Sequence, residues 1–147
     1  MKEISVGIIE DSPSSIKNCK DLLMRMGKEL GDVNFACETY TNPVDYKIRA
    51  RKFDILIIDY HFSSYTYGAN GFYIAKYTKE KYPECFTIIN SSYAPFEIDH
   101  MLNEFTNYVD GYAHKKETAP DGEYSLKNAI NKYLKRDSKA SFTNHKV

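Results

Sequence analysis

The chain has no net charge: twenty Lys and Arg balance twenty Asp and Glu. Such a balance gives the whole molecule no electrostatic reason to seek nucleic acid or an anionic membrane surface. Cysteine is scarce. Cys19, Cys37 and Cys85 are odd in number, far apart and without a C-x-x-C pair, which argues against a disulfide frame or a zinc site and for three reduced core residues. No apolar run approaches a membrane span. Met1-Lys2-Glu3-Ile4 enters a strand pattern at once, so no signal peptide is expected and the expected compartment is the cytoplasm. His61, His100, His114 and His145 share no metal-ligand spacing. No hydroxyl- and glycine-rich loop follows the first apolar run, which counts against a flavin-binding module. Thirteen tyrosines and eight phenylalanines are many for 147 residues. They are not interleaved with basic residues, so they read as packing rather than as a base-stacking platform.

What is present is a repeated alternation of short apolar runs and helical stripes. Ile4 to Ile9 reads as a first buried strand, and Ser12-Pro13 as a capped helix start with proline at the first helical position. Ile16, Cys19, Leu22, Leu23 and Met26 form the stripe of a helix packed on a sheet, ended by Gly27 or Gly31. Val33 to Thr39 reads as a second strand, and Asn42-Pro43 opens a short helix through about Arg51. Ile55 to Ile58 is the third strand. After a loop rich in Ser, Tyr, Gly and Asn (60–70), Gly71 opens a helix with Phe72, Ala75 and Thr78 inward, closed by Pro83. Phe86 to Ile89 is a fourth strand, and Pro95 to Thr106 a helix with Ile98, Met101, Leu102 and Phe105 on one face. Val109 to Ala113 is a fifth strand. A turn-rich link (118–122) precedes a last helix marked by Leu126, Ile130, Tyr133 and Leu134. Five strands alternating with five helices predict one α/β domain, doubly wound around a parallel sheet, over residues 1–136. Residues 137–147 read as a loose polar tail or the start of a linker.

Two of the apolar runs stop abruptly at acids: Ile8-Ile9-Glu10-Asp11 and Ile57-Ile58-Asp59. In an open parallel sheet the carboxyl edge is where ligands bind, so these acids read as a site. The fourth strand contributes Ser91 and Ser92 to that edge and the fifth Lys115 and Lys116. Three acids, a hydroxyl and an ammonium are the parts needed to receive a phosphoryl group. Two carboxylates about 4 Å apart repel by roughly 4 kcal/mol at an effective dielectric near 20. A hard divalent cation relieves that repulsion, and Mg2+ suits an all-oxygen ligand set.

This set resembles the receiver domains of bacterial response regulators, the family of the chemotaxis response regulator. The resemblance covers about Lys2 to Arg136 and rests on Ile8-Ile9-Glu10-Asp11-Ser12-Pro13, Ile57-Ile58-Asp59, Ile88-Ile89-Asn90-Ser91-Ser92 and Gly111-Tyr112-Ala113-His114-Lys115. It implies a flavodoxin-like (βα)5 fold and a phosphorylation switch rather than an enzyme. Asp59 would accept a phosphoryl group from a sensor histidine kinase or phosphotransfer protein. Asp11 and Asp59 would bind Mg2+ directly, Glu10 through water, and the backbone carbonyl of His61 would be a further ligand. Ser91 and Lys115 would meet the phosphoryl oxygens, and Tyr112 would be the switch aromatic. The fourth helix, fifth strand and fifth helix would form the face that meets a downstream protein, with a phosphorylation-dependent homodimer left open and no direct nucleic-acid or membrane binding by this domain.

The chain departs from that pattern in three places. The segment from Asp59 to Gly71 is about four residues longer than is usual and lacks a Met-Pro pair, so Tyr65, Thr66 and Tyr67 would reshape the lid. Lys116 stands where the family usually holds a proline in cis, and a trans bond is expected there because a non-proline cis bond costs roughly 3 kcal/mol. His61 and Tyr93 lie two residues past Asp59 and Ser91, where their bulk would slow attack by water. Two other readings stand beside the switch. One is a pseudo-receiver, a protein-interaction domain without turnover. The other is a Mg2+-dependent phosphohydrolase of similar fold, which usually carries a second acid where this chain has His61.

Overall fold

The computed structural model describes residues 1–62, 70–117, 119 and 121–145, with backbone alone from 137 onward. Five parallel strands lie in the order β2-β1-β3-β4-β5: β1 Lys2–Ile9, β2 Val33–Tyr40, β3 Ile55–Asp59, β4 Phe86–Ser91 and β5 Gly111–His114. Helices α1 Pro13–Leu30, α2 Pro43–Arg49, α3 Gly71–Lys81, α4 Asp99–Glu104 and α5 Leu126–His145 connect and follow them. This strand order is that of the flavodoxin-like doubly wound fold, as expected.

Alternation along the strands builds two cores. Ile55 and Ile57 face α1 and α5, packing with Val6, Cys19, Leu23 and Ile130. Leu56 and Ile58 face the opposite side, packing with Tyr46, Phe72, Ile89 and Phe105. All five residues of β3 are buried, because the strand is covered on both faces and flanked by β1 and β4. A fully buried aliphatic side chain contributes about 1.5–3 kcal/mol, so this apolar run fixes the centre of the sheet.

Local chemistry sets the helix ends. The Ser12 hydroxyl accepts from Ser15 N at 3.4 Å, and the Asn42 carbonyl accepts from Asp45 N at 2.7 Å; a proline follows each cap. Of the two candidate stops for α1, Gly31 ends it: its φ of +80° is the left-handed conformation, and its N–H donates to Gly27 O. The Asn70 side chain caps α3 through Phe72 N and Tyr73 N.

Two expectations need correction. The stripe from Pro95 to Thr106 is not one helix: a 3-10 turn at Pro95–Ile98 precedes α4, and a second, Thr106–Tyr108, follows it. Ile98, Met101 and Phe105 are buried all the same, because spacings of three and four bury one face of either helix type. Residues 137–145 continue α5 rather than forming a loose tail, since no glycine or proline stops the helix. The expected lid residues Tyr65, Thr66 and Tyr67 lie outside the described residues, as do Thr118 and Pro120 of the turn-rich link.

Helix α3 begins against the backbone of the third strand. Gly71 N donates to Tyr60 O at 2.8 Å, and a Cβ at position 71 would collide with the Asp59 carbonyl oxygen. Gly71→Ala is therefore expected to lower unfolding stability by about 1–3 kcal/mol, read from urea denaturation, and to shift the backbone resonances of Asp59 and Tyr60.

Candidate functional site

Strand pairing brings the acids together. Ile9 is the register partner of Ile58 across β1 and β3, so the residues that follow, Glu10 and Asp11 on one side and Asp59 on the other, emerge side by side at the carboxyl edge. One oxygen from each of the three carboxylates lies within 4.8 Å of the others. Glu10 is 3% and Asp59 7% exposed, while Asp11 is open to solvent. Ser12, the cap of α1, also donates its backbone N–H to Glu10 Oε1 at 3.2 Å.

Lys115 enters from the far end of β5. Its ammonium donates to Asp59 Oδ1 at 2.9 Å and to Glu10 Oε2 at 3.1 Å, and its backbone N–H donates to Ser91 O at 2.7 Å. Lys115 therefore spans β4 to reach the acids. Lys116 is exposed, and there is no cis peptide bond among the described residues. Of the two lysines, Lys115 is the one in contact with the acids.

The electrostatics follow from burial. Three acids face one ammonium. Burial, and then the Asp59 carboxylate, push Glu10 up to about 7, against the downward pull of Lys115. Asp59 is also raised, by burial first, with Lys115 opposing and Asp11 adding to the rise. Burial pulls the Lys115 ammonium down, but its bonds to Asp59 and its attraction to both acids more than offset that, and it is raised on balance. A site that drives Glu10 toward holding a proton near neutral pH is short of positive charge. Its donors are all hard oxygens, so the three carboxylates of Glu10, Asp11 and Asp59 fit a divalent cation such as Mg2+.

Ser91 ends β4 and is fully buried. Its Oγ accepts from Tyr93 N at 3.0 Å, and its own O–H is directed to the Tyr112 hydroxyl oxygen. Tyr112, on β5, donates its hydroxyl to Tyr93 O at 2.5 Å and lies in hydrogen-bonding range of Ser91. Burial pushes the Tyr112 phenol up to about 12, so it remains a donor. His61, with Ser91, Tyr93 and Lys115, lines a cavity of about 360 Å3 above the three acids. Glu10, Asp11, Asp59, His61, Ser91, Ser92 and Lys115 thus line one cavity, while Tyr112 reaches its rim through Tyr93 and Lys116 lies outside it. The sequence reading missed the ring of Tyr60, which packs edge-on against Tyr93 at 5.4 Å and joins the β3 and β4 sides of the cavity. Its position directly after Asp59 was the available signal.

No protein-family model matches the chain, and no curated protein matches it. Solved structures do. The BeF3-activated receiver domain of DrrB is 18% identical with a TM-score of 0.68, covering 92% of this chain and 99% of that one. TrrA of Thermotoga maritima, solved with Mg2+ and BeF, is 20% identical with a TM-score of 0.66, covering 91% and 100%. A response regulator receiver domain protein of Clostridium thermocellum is 18% identical with a TM-score of 0.66, covering 93% and 98%. Against the Thermotoga maritima response regulator DrrB, the chain spans 54% of its length. The fold of this chain is that of response regulator receiver domains.

Proposed function

We propose that the chain is a phosphorylation switch in which Asp59 accepts a phosphoryl group from a phosphohistidine on a sensor histidine kinase or a phosphotransfer protein in the cytoplasm. The observation that carries this reading is the convergence of Glu10, Asp11, Asp59 and Lys115, four side chains from three strand ends, with Lys115 in direct contact with the central acid. In the transfer, a carboxylate oxygen of Asp59 attacks phosphorus. The P–N bond of the donor breaks, its electron pair returns to the imidazole, and the ring nitrogen takes up a proton. The reaction needs positioning and charge neutralisation rather than an acid or base. Mg2+, bound by Asp11, Asp59 and the His61 backbone carbonyl with Glu10 acting through water, would cancel the charge between nucleophile and phosphoryl group. Lys115 exchanges part of its contact with Asp59 for a phosphoryl oxygen, and Ser91 turns its O–H from Tyr112 to another.

Ser91 and Tyr112 both engage the Tyr93 backbone. Movement of the Ser91 hydroxyl toward a phosphoryl group would release one of these bonds and shift the segment leading into α4. That segment carries Phe96, 78% exposed, and with β5 and α5 forms the face proposed to meet a downstream protein or a second phosphorylated copy. No described helix is long and apolar enough to cross a membrane.

Incubation with acetyl phosphate and Mg2+ is expected to add one phosphate by intact mass, and Asp59→Asn to abolish the gain. Beryllofluoride should shift the Ser91 and Tyr112 resonances. A silent spectrum with no magnesium bound would favour the pseudo-receiver, and continuous release of phosphate at enzyme-like rates the phosphohydrolase. With His61 and Tyr93 flanking the cavity, the phosphoryl group should be lost slowly. Radiolabel chase is expected to show persistence well beyond seconds and faster loss in His61→Gly.

The acids also set a pH dependence. In metal-free protein Glu10 titrates near 7, against an ordinary value of 4.5. The folded state therefore binds more protons than the unfolded one between those values. The stability Glu10 contributes is present below about 4.5 and is lost as pH rises toward 7. Urea unfolding of the wild type against Glu10→Gln should show this slope only in the wild type, and Mg2+ should restore stability at the upper end.

A further inference from the structure

A second cavity of about 360 Å3 lies on the other side of Lys115, between α1 and α5. Cys19, Leu22 and Arg25 line it from α1, Leu126 from α5, and Asn90 from β4. Its size and mixed lining are those of small-molecule sites. Asn90 is only 7% exposed. Its amide nitrogen donates to Cys19 Sγ at 3.7 Å, a poor acceptor, and its carbonyl oxygen makes no hydrogen bond with a described residue. No sealed side-chain oxygen or nitrogen lacks a partner, so that carbonyl opens on the cavity. An asparagine in this place, among Ile88 and Cys19 of the core, is costly unless something donates to it.

The far end of the cavity has the opposite character. Arg25 lies six residues beyond Cys19 on α1, about 9 Å at 1.5 Å per residue. It is exposed and forms no ion pair with a described residue, whereas Asp21 is held by Lys17 at 2.7 Å and Lys127 by Glu29 at 3.2 Å. Leu22 and Leu126 lie between. The lysines of the lining, Lys115 and Lys127, are paired with acids, so Arg25 is placed to take an anion while the Asn90 carbonyl takes a donor.

We propose that this cavity binds a small organic anion with an apolar body, its anionic group on Arg25 and a hydrogen-bond donor at its other end on the Asn90 carbonyl. The inference does not rest on phosphorylation of Asp59. It does couple to the acidic site, because Lys115 lines both cavities, and any change one occupant makes in the affinity of the other is reciprocal.

The probe is 3-(4-hydroxyphenyl)propanoate, which carries a phenol and a carboxylate at opposite ends of an apolar body. Titrated into the full 15N-labelled chain, it should shift the Cys19, Leu22, Arg25, Asn90 and Leu126 amides saturably, with a dissociation constant of roughly 0.1–1 mM for so small a ligand. Arg25→Gln, an exposed substitution that leaves the core untouched, should weaken binding about tenfold. 3-Phenylpropanoate, which lacks the donor, should bind the wild type several-fold more weakly. Absence of saturable shifts at these amides by about 10 mM, or an unchanged constant in either comparison, overturns the proposal. Phosphorylation by acetyl phosphate, measured in parallel, tests the Asp59 reading separately.

Discussion

Glu10 and Asp59 sit buried within a few ångströms of one another, and the Lys115 ammonium stands between them. At this separation the repulsion is worth several kcal/mol in a partly buried site, a large fraction of the net stability of a domain this size. The sheet is what enforces the encounter. β3 is buried on every side, β1 is registered against it, and each strand delivers its acid at the same edge. The molecule spends part of its stability on holding a charge imbalance, and it answers that imbalance with one cation from three strands away.

That arrangement explains why so much of the site was legible. An apolar run that stops at an acid marks both a strand end and a carboxylate at the sheet edge, so Glu10, Asp11 and Asp59 could be placed from their neighbours alone. Ser12-Pro13 and Asn42-Pro43 likewise encode helix starts in two residues each, and both caps are made as the chemistry requires. Lys115 and Ser91 needed the strand order as well, because their meeting depends on β4 lying between β3 and β5.

The illegible parts are those decided through space. Whether Pro95 to Tyr108 winds as one helix or as a short helix between 3-10 turns leaves the buried stripe of Ile98, Met101 and Phe105 unchanged, so periodicity is silent on it. Asn90 could be recognised as an awkward polar residue in a buried strand, but its partner Cys19 lies 71 positions away on another element. The packing of Tyr60 on Tyr93 joins two loops with no shared pattern. The α5 extension depended on an absence of stop signals, which composition alone reads as a polar tail.

The main chain and the carboxylate of Asp59 are held by different kinds of support. Toward α3 the neighbour is backbone: Gly71 packs directly on the Asp59 carbonyl and is tied to Tyr60 by a main-chain bond. Toward β4 it is backbone again, with Asp59 registered against Asn90 in the sheet. The carboxylate, by contrast, is held by the ammonium at the end of the long Lys115 stem. A change of charge at this acid is therefore felt first by a flexible side chain, while the strand that carries the acid stays clamped from both flanks.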